Sequence, residues 1–398
     1  MSHVDPAAGL RPSPVASFVN DKRVRDTASQ ILVIVALLAV VGYFVANARE
    51  NMVRGGIASG FGFLWSNAGI DLPMKLIDYG ASSTYARMLL VGVLNTLLVS
   101  VLGIVLASIL GFLIGIARLS RNWLLSRLAY AYVEFVRNIP LLLFVFFWYF
   151  GIIRALPPPR EGFRLFDLVF LNNRGLTFPS PTSGWAFLAV PLAFAIGGAA
   201  FLLIRRWALR RQAETGQPFP ILETGAGLIL GLPILAALGA GSAVAWDVPQ
   251  PRGFNVSGGV VLIPEFVGLL LALVTYTAGF IAEIVRGGIL AVADGQRQAA
   301  RALGLSEGQT LRLVVLPQAM RVIVPPLTNQ YVNVVKNSSF AAAIAYPDIV
   351  SVFVGSALNQ TGQAVEIIAI TLAIYLIISL TVSVLMNWYN RAVALPTR

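Results

Sequence analysis

"QAARALGLSEGQTLRLVVLP", residues 298–317, lies between two runs apolar enough to cross a bilayer, and its reading decides the fold. Most connections between packed elements are short. This one is alanine-rich, carries Arg301 and Arg312, breaks at Gly304 and Gly308 and stops on Leu316-Pro317. Asp294 is placed to cap a short helix through Leu303, and Gly304 to end it in the left-handed conformation. Ser306 and Gln309 have the spacing of a capping box for a second helix, with Pro317 where that helix meets the next span. Ala299, Ala300, Ala302 and Leu303 give the first helix a small apolar surface for close docking. Arg297 and Arg301, four apart, share a face that can meet carboxylates. Two roles fit this outline: a lever seated in a groove on a partner, or an amphipathic helix lying on an anionic leaflet.

The rest of the chain supplies the membrane. Of 398 residues, 57% are hydrophobic and 12% charged, against about a quarter charged in an ordinary soluble domain. Apolar runs near the roughly 20 residues a spanning helix needs predict an all-α polytopic membrane protein of about eight transmembrane helices. They fall at about 29–48, 86–117, 132–153, 185–204, 221–246, 264–285, 318–336 and 364–388. There is no cysteine, and the single histidine, His3, sits in a polar tail; thiolate metal sites, cysteine nucleophiles and histidine relays are excluded. The net charge of +11 is a matter of topology. Placed on alternating sides of these spans, 19 of the 29 basic residues collect on one side, which the positive-inside rule makes cytoplasmic together with both termini. No nucleic-acid partner is implied; the lipid bilayer is. Ala46-Asn47-Ala48 resembles a signal cleavage site, but about 30 polar residues precede it, so a retained helix is expected.

The segment 155–262 has its own character: a Pro/Arg loop, two spans and the basic turn "RRWALRR". It reads as an insertion into a smaller helical set. The expected organisation is a cytoplasmic tail (1–28), a first transmembrane helix with a long periplasmic loop (29–85), a transmembrane domain (86–390) and a cytoplasmic tail (391–398). The cytoplasmic helix-pair loop occupies about 291–317.

Residues 298–317 resemble the EAA loop of ABC-importer permeases: Glu-Ala-Ala, three residues, Gly, nine residues, then Ile-x-Leu-Pro. Gln298-Ala299-Ala300, Gly304 and Val314-Val315-Leu316-Pro317 stand at those places, with Gln298 for the acid and Val314 for isoleucine. "NTLLVSVLGIVLASILGFLIGIARLSRN" from Asn95, "YVEFVRNIPLLLFVFFWYFGI" from Tyr132, "EIVRGGILAV" from Glu283 and "NVVKNSSFAAAIA" from Asn333 look like polar amino-acid permeases. The long first loop and the insertion look like the larger permease subunit of general L-amino-acid importers. The resemblance implies a type I ABC-importer permease core with an inserted helix pair, in a bacterial inner membrane. It implies as partners a cytoplasmic ABC ATPase dimer, a related second permease subunit in a heterodimer, a periplasmic amino-acid-binding protein and a small amino-acid substrate. Gln298, Ala299, Ala300, Arg301, Gly304, Leu316 and Pro317 would couple to the ATPase.

The chain itself bears on the ATPase. Its three lysines, Lys22, Lys75 and Lys336, follow Asp21, Met74 and Val335, so none completes a Gly-Lys-Ser/Thr phosphate loop. ATP and Mg are therefore expected on a separate polypeptide, and this chain is expected to be no enzyme, with no catalytic, metal or cofactor site of its own. Substrate-path candidates centre on Lys336 in "TNQYVNVVKNSSF", after Pro325-Pro326. Asn329, Asn333 and Asn337 recur every four residues beside it, and Ser338 and Ser339 follow. A lysine at membrane depth costs about 2.5–3.5 kcal/mol, so it faces a cavity, a partner or the interface. Either it attracts a substrate carboxylate, or it snorkels outward while the amides knit two helices. Glu283 with Arg286, and Glu134 with Arg137, are spaced as ion pairs, for a gate or for structure. The rival function is an ion-coupled secondary amino-acid transporter, which needs carboxylates near the midplane; Glu283 is the deepest candidate. Gly111 and Gly115 form a GxxxG, weak evidence for dimerisation.

Overall fold

The computed structural model describes residues 22–56, 59–181, 185–217, 219–239, 246–253 and 255–393. His3, Arg398 and most of both predicted tails lie outside them. Thirteen α-helices follow in order among the described residues. They are α1 (Lys22–Arg54), α2 (Tyr85–Ala117), α3 (Trp123–Arg137), α4 (Leu141–Phe146), α5 (Trp185–Thr215), α6 (Ile221–Ala226) and α7 (Leu232–Gly239). After these come α8 (Pro264–Leu290), α9 (Asp294–Ala302), α10 (Glu307–Thr310), α11 (Leu316–Asn337), α12 (Leu358–Thr361) and α13 (Ala364–Val393).

Among the described residues six helices are long and apolar enough to cross a membrane: Arg25–Asn47, Tyr85–Ala117, Ala189–Gln212, Pro264–Leu290, Glu307–Ile344 and Ala364–Arg391. One of the eight expected spans is revised, and another is described only in part. Residues 132–153 are not one straight helix: α3 and the α4 segment, Leu141–Ile153, meet at 108°. Pro140 disfavours helical backbone at Ile139, and α3 ends at Arg137. Of residues 221–246, those described give an apolar helix over Glu223–Gly239, short of a full span, and 240–245 lie outside the described residues.

The core is α8, a helix buried over most of its length against α2, α3, α4 and α11. Glycine sets the approach of α2. A Cβ at Gly111 would lie 2.6 Å from Ile281, and one at Gly115 would lie 2.7 Å from the Ala282 carbonyl oxygen. The GxxxG is therefore consumed inside the chain, against α8. Gly103 similarly faces Val334 of α11.

A β layer caps one end. Strands β1 (Phe163–Leu165), β2 (Val169–Asn172) and β3 (Gly175–Phe178) are joined by β8 (Val260–Leu262), in antiparallel order β1-β2-β3-β8. The intervening strands β4 (Ser180–Pro181), β5 (Trp246–Asp247), β6 (Gln250–Arg252) and β7 (Asn255–Ser257) form two small antiparallel pairs, β4 with β5 across the α5–α7 segment and β6 with β7. Because β3 pairs with β8, the chain leaves and re-enters the α5–α7 hairpin at the same end. Gly197 of α5 sits against the Leu228 carbonyl, which lets the two arms pack.

Candidate functional site

The helix pair stands at the other end of α8. Helix α9 ends as the sequence predicts: Gly304 has φ +77°, its N–H donates to the Arg301 carbonyl at 2.9 Å, and Leu305 N–H donates to Ala300 at 3.2 Å. These two bonds are the paired closure of a Schellman motif. Its start differs. Ala293 occupies the cap position and makes no side-chain cap bond, while Asp294 is the first helical residue, where its charge still favours the helix N-terminus. The capping box is present in full: Gln309 N–H donates to Ser306 Oγ at 3.3 Å, and Ser306 N–H to Gln309 Oε1 at 2.9 Å.

The second helix of the pair is no free element. From α10 the backbone widens into a π-helical stretch, Leu311–Val315, and continues into α11 without a stop. Pro317 has no N–H to give and crowds the carbonyl one turn back; the widened turn accommodates it. Pro325 and Pro326 likewise lie inside the continuous helix.

Gln298, Ala299, Arg301, Gly304 and Pro317 are exposed, Leu316 is half-buried and Ala300 is buried. Leu303 is 82% exposed, an apolar side chain presented at the corner. Arg301 reaches Glu307 at 2.9 Å, and Arg121, from the α2–α3 turn, reaches the same carboxylate oxygen at 2.6 Å. Arg297 meets no carboxylate; its guanidinium donates to the Ile289 carbonyl at 2.8 Å. Between α9 and the α2–α3 turn lies a cavity of about 390 Å³, lined by Ile116, Leu119, Arg297, Arg301 and Leu311 among others.

Glu283 and Arg286 are brought together: Arg286 Nη2 lies 2.6 Å from Glu283 Oε1. Sequence spacing missed the third member. Arg118, whose side chain is only 8% exposed, donates to the other Glu283 oxygen and so ties α2 to α8. Only the packing of α2 on α8 reveals Arg118 as a partner of Glu283. Glu134 and Arg137 do not pair among the described residues; Arg137 lies over the Phe280 ring at 5.8 Å, and the Glu134 carbonyl accepts from Asn138.

On α11, Asn329, Asn333 and Lys336 are exposed along one face with Val322 and Pro325, and none of their side chains has a hydrogen bond or ion pair among the described residues. Asn337 is half-buried and ends the α-helix, which tightens into a 3₁₀ stretch, Ser338–Ile344. Ser338 is buried with its hydroxyl on the Val335 carbonyl, and Ser339 bonds back to Lys336 O at 2.7 Å. The stripe is therefore Asn329, Asn333 and Lys336, with the serines turned to local backbone.

Glu283 is also not the most buried carboxylate. Asp348 is 0% exposed. Its Oδ1 accepts from Ser351 N–H at 2.8 Å and its Oδ2 from the Tyr375 hydroxyl at 3.2 Å. Beside it Asn95 donates to the carbonyls of Met74 and Pro347, Tyr346 donates to Asn95 O, and Ile349 N–H donates to Thr96. This knot joins α2, the turn after α11 and α13. "AYPDIV" reads as a loop in sequence, so nothing local announces that Asp348 is enclosed.

Comparison with known proteins places this architecture. Residues 103–395 match the family described as "Binding-protein-dependent transport system inner membrane component". The chain is 54% identical to the putative amino-acid ABC transporter permease protein YhdX of Escherichia coli K12, over 96% of this chain and 97% of that one. It is 51% identical to the general L-amino acid transport system permease protein AapQ of Rhizobium johnstonii, over 96% and 95%. It is 42% identical to the glutamate/glutamine/aspartate/asparagine transport system permease protein BztB of Rhodobacter capsulatus, over 99% and 98%.

Proposed function

The chain belongs to the inner-membrane components of binding-protein-dependent transport systems, and from that membership we propose how its parts divide the work. It is a multi-pass permease subunit of an amino-acid ABC importer, and the observation that carries this is identity above half to two amino-acid permeases along nearly the whole chain. In this reading ATP and Mg are bound by a separate ATPase dimer. A soluble binding protein delivers the amino acid, and a related second permease completes the path. Both termini and the 291–317 loop face the cytoplasm of an inner-membrane protein, as the basic residues suggest. The segments divide as the sequence reading has them, with 155–262 an insertion in the permease domain.

Within that frame the exposed corner of Gln298, Ala299, Arg301, Gly304 and Leu303 seats on the ATPase. The unbroken helix from Glu307 through Asn337 carries its movement into the membrane. Asn329, Asn333 and Lys336, exposed and unsatisfied within this chain, face the pathway shared with the second permease. There Lys336 supplies a cation for a substrate carboxylate, and the amides orient the zwitterion. Glu283, Arg118 and Arg286 form a structural tie between α2 and α8.

The test is uptake by the complete importer purified from native membranes and reconstituted in vesicles without an ion gradient. ATP inside the complex's ATPase compartment, with binding protein on the other side, is expected to drive amino-acid accumulation that ionophores do not abolish. Accumulation that requires an ion gradient and proceeds without ATP refutes the assignment.

A further inference from the structure

The β layer and the 294–317 loop are at opposite ends of α8. Strand β8 runs into Pro264, and the loop follows Leu290, 27 residues on, about 40 Å at 1.5 Å per residue. If the loop meets the ATPase, the layer is on the other side of the membrane, whichever way the termini point.

That layer is basic where topology has no use for cations. Arg164, Arg174 and Arg252 are exposed on its strands and turns, and Arg154 and Arg160 on the segment that leads into β1, with no lysine among them, against the acids Glu161, Asp167 and Asp247. Among the described residues no ion pair involves Arg154, Arg164, Arg174 or Arg252. Arginine and aromatic side chains are the residue types enriched at protein interfaces.

The hairpin between β1 and β2 adds an aromatic. Phe166 and Asp167 occupy its two central positions at φ 55° and 54°, closed by Leu168 N–H on the Leu165 carbonyl at 3.1 Å. Such turns ordinarily hold Asn-Gly, because both centres need positive φ. A bulky side chain there is strained, and Phe166 is 86% exposed, so among the described residues no packing offsets the strain. Phe163 and Leu165 of the edge strand β1 are 63% and 57% exposed beside it. The turn holds an aromatic outward at a conformational cost, two residues from Arg164 of β1.

We infer that this layer docks the soluble binding protein, with Phe166 as the apolar anchor and the arginines meeting an acidic rim. The inference rests on the permease reading and on the family's binding-protein dependence; it adds which surface receives that protein and what chemistry the receiving surface has. Opposed charge at such a surface speeds encounter and makes it salt-sensitive.

The experiment reconstitutes the whole importer in nanodiscs and titrates ligand-loaded binding protein while following ATP hydrolysis. Two variants are compared with wild type: Phe166→Asn, whose side chain suits the left-handed turn and so spares the fold, and the double charge reversal Arg164→Glu/Arg174→Glu. Each is expected to raise the half-saturating concentration of binding protein about tenfold, the effect of losing one interface anchor. Hydrolysis without binding protein and at saturation should stay at wild-type values. The charge-reversal variant should also lose the salt dependence of half-saturation. Unchanged half-saturation in both variants overturns the inference while leaving the permease reading intact; wild-type hydrolysis that no binding protein stimulates overturns the permease reading itself. A deficit that vanishes in wholly zwitterionic lipid makes anionic headgroups the layer's partner and also overturns the inference.

Discussion

Gly304 tests whether the α9 corner works through its backbone. A Cβ at Gly304 would meet nothing within 4 Å in this chain, so its requirement here is conformational: φ is +77°. An L-residue forced to that conformation costs roughly 1–2 kcal/mol, with β-branched residues at the upper end and Asn well below Ala. If the corner opens instead, the Leu305–Ala300 and Gly304–Arg301 bonds are lost, each worth about 1 kcal/mol. A penalty of about 1.4 kcal/mol lowers the population of the closed corner tenfold relative to an open one. Association of the ATPase with the purified permease, measured by titration in detergent, should therefore weaken in the order Gly, Asn, Ala, Val. Asn is expected within about threefold of wild type and Val about tenfold or more weaker. Thermal stability of the spans should not move, because a side chain at Gly304 would meet nothing within 4 Å of its Cβ. A steric requirement imposed by the partner gives a different order, with the larger Asn worse than Ala. Asn binding more weakly than Ala refutes the conformational account.

Three further perturbations read other parts of the molecule. Glu283→Gln strips two arginines of their carboxylate, one of them with an 8% exposed side chain; discounted for the partial exposure of Glu283, it should cost about 2–3 kcal/mol, seen as a lower midpoint in thermal scanning, while an equal midpoint refutes the tie. Gly111→Ala drives a Cβ to 2.6 Å from Ile281 and 3.0 Å from the Ala278 carbonyl and should cost about 1–3 kcal/mol, whereas Gly308→Ala, at an open helical position, should lie within about 0.5 kcal/mol of wild type. Lys336→Met should raise the substrate concentration for half-maximal uptake while leaving hydrolysis without substrate unchanged; if Lys336 only snorkels, both stay at wild-type values.

What the sequence announced was what short-range chemistry controls. Gly304, Ser306 and Gln309 act within one turn of themselves, and the structure finds their motifs where spacing put them. Asp294 was displaced by a single position, because Ala293 and Asp294 both precede the same periodic run. Apolar length found the spans but not the 108° bend, since a Pro in an apolar run fixes a break without fixing its angle. Long-range partners were silent. Arg118 is 165 residues from Glu283, and the knot around Asp348 is closed by the Asn95–Pro347 and Thr96–Ile349 bonds, between residues 252 and 253 apart. Neither chain segment carries a pattern that names the other. Glu134 and Arg137 show the converse: good helical spacing, yet Arg137 lies over a ring of α8 instead.

The same geometry decides how a push on α9 is spent. Force applied there either closes the angle at Gly304 or moves the helix that begins at Glu307. The angle is held by the two Schellman bonds and by the Arg301–Glu307 pair. The helix is held to the α2–α3 turn at its base by Arg121 on the same carboxylate, with side chains 79% and 57% exposed. An exposed pair of that kind contributes about 0–1 kcal/mol, less than the corner's two backbone bonds together. Load therefore separates Glu307 from Arg121 before it folds the corner, and the motion passes along one helix of 38 residues, Glu307–Ile344, that includes Lys336. Arg121→Ala should accordingly leave transport coupled to hydrolysis, with the ratio of substrate moved to ATP consumed near wild type, whereas Gly304→Val should lower that ratio even when the ATPase is supplied in excess. Equal loss of coupling in both variants would mean that the α2–α3 turn, not the corner, bears the load.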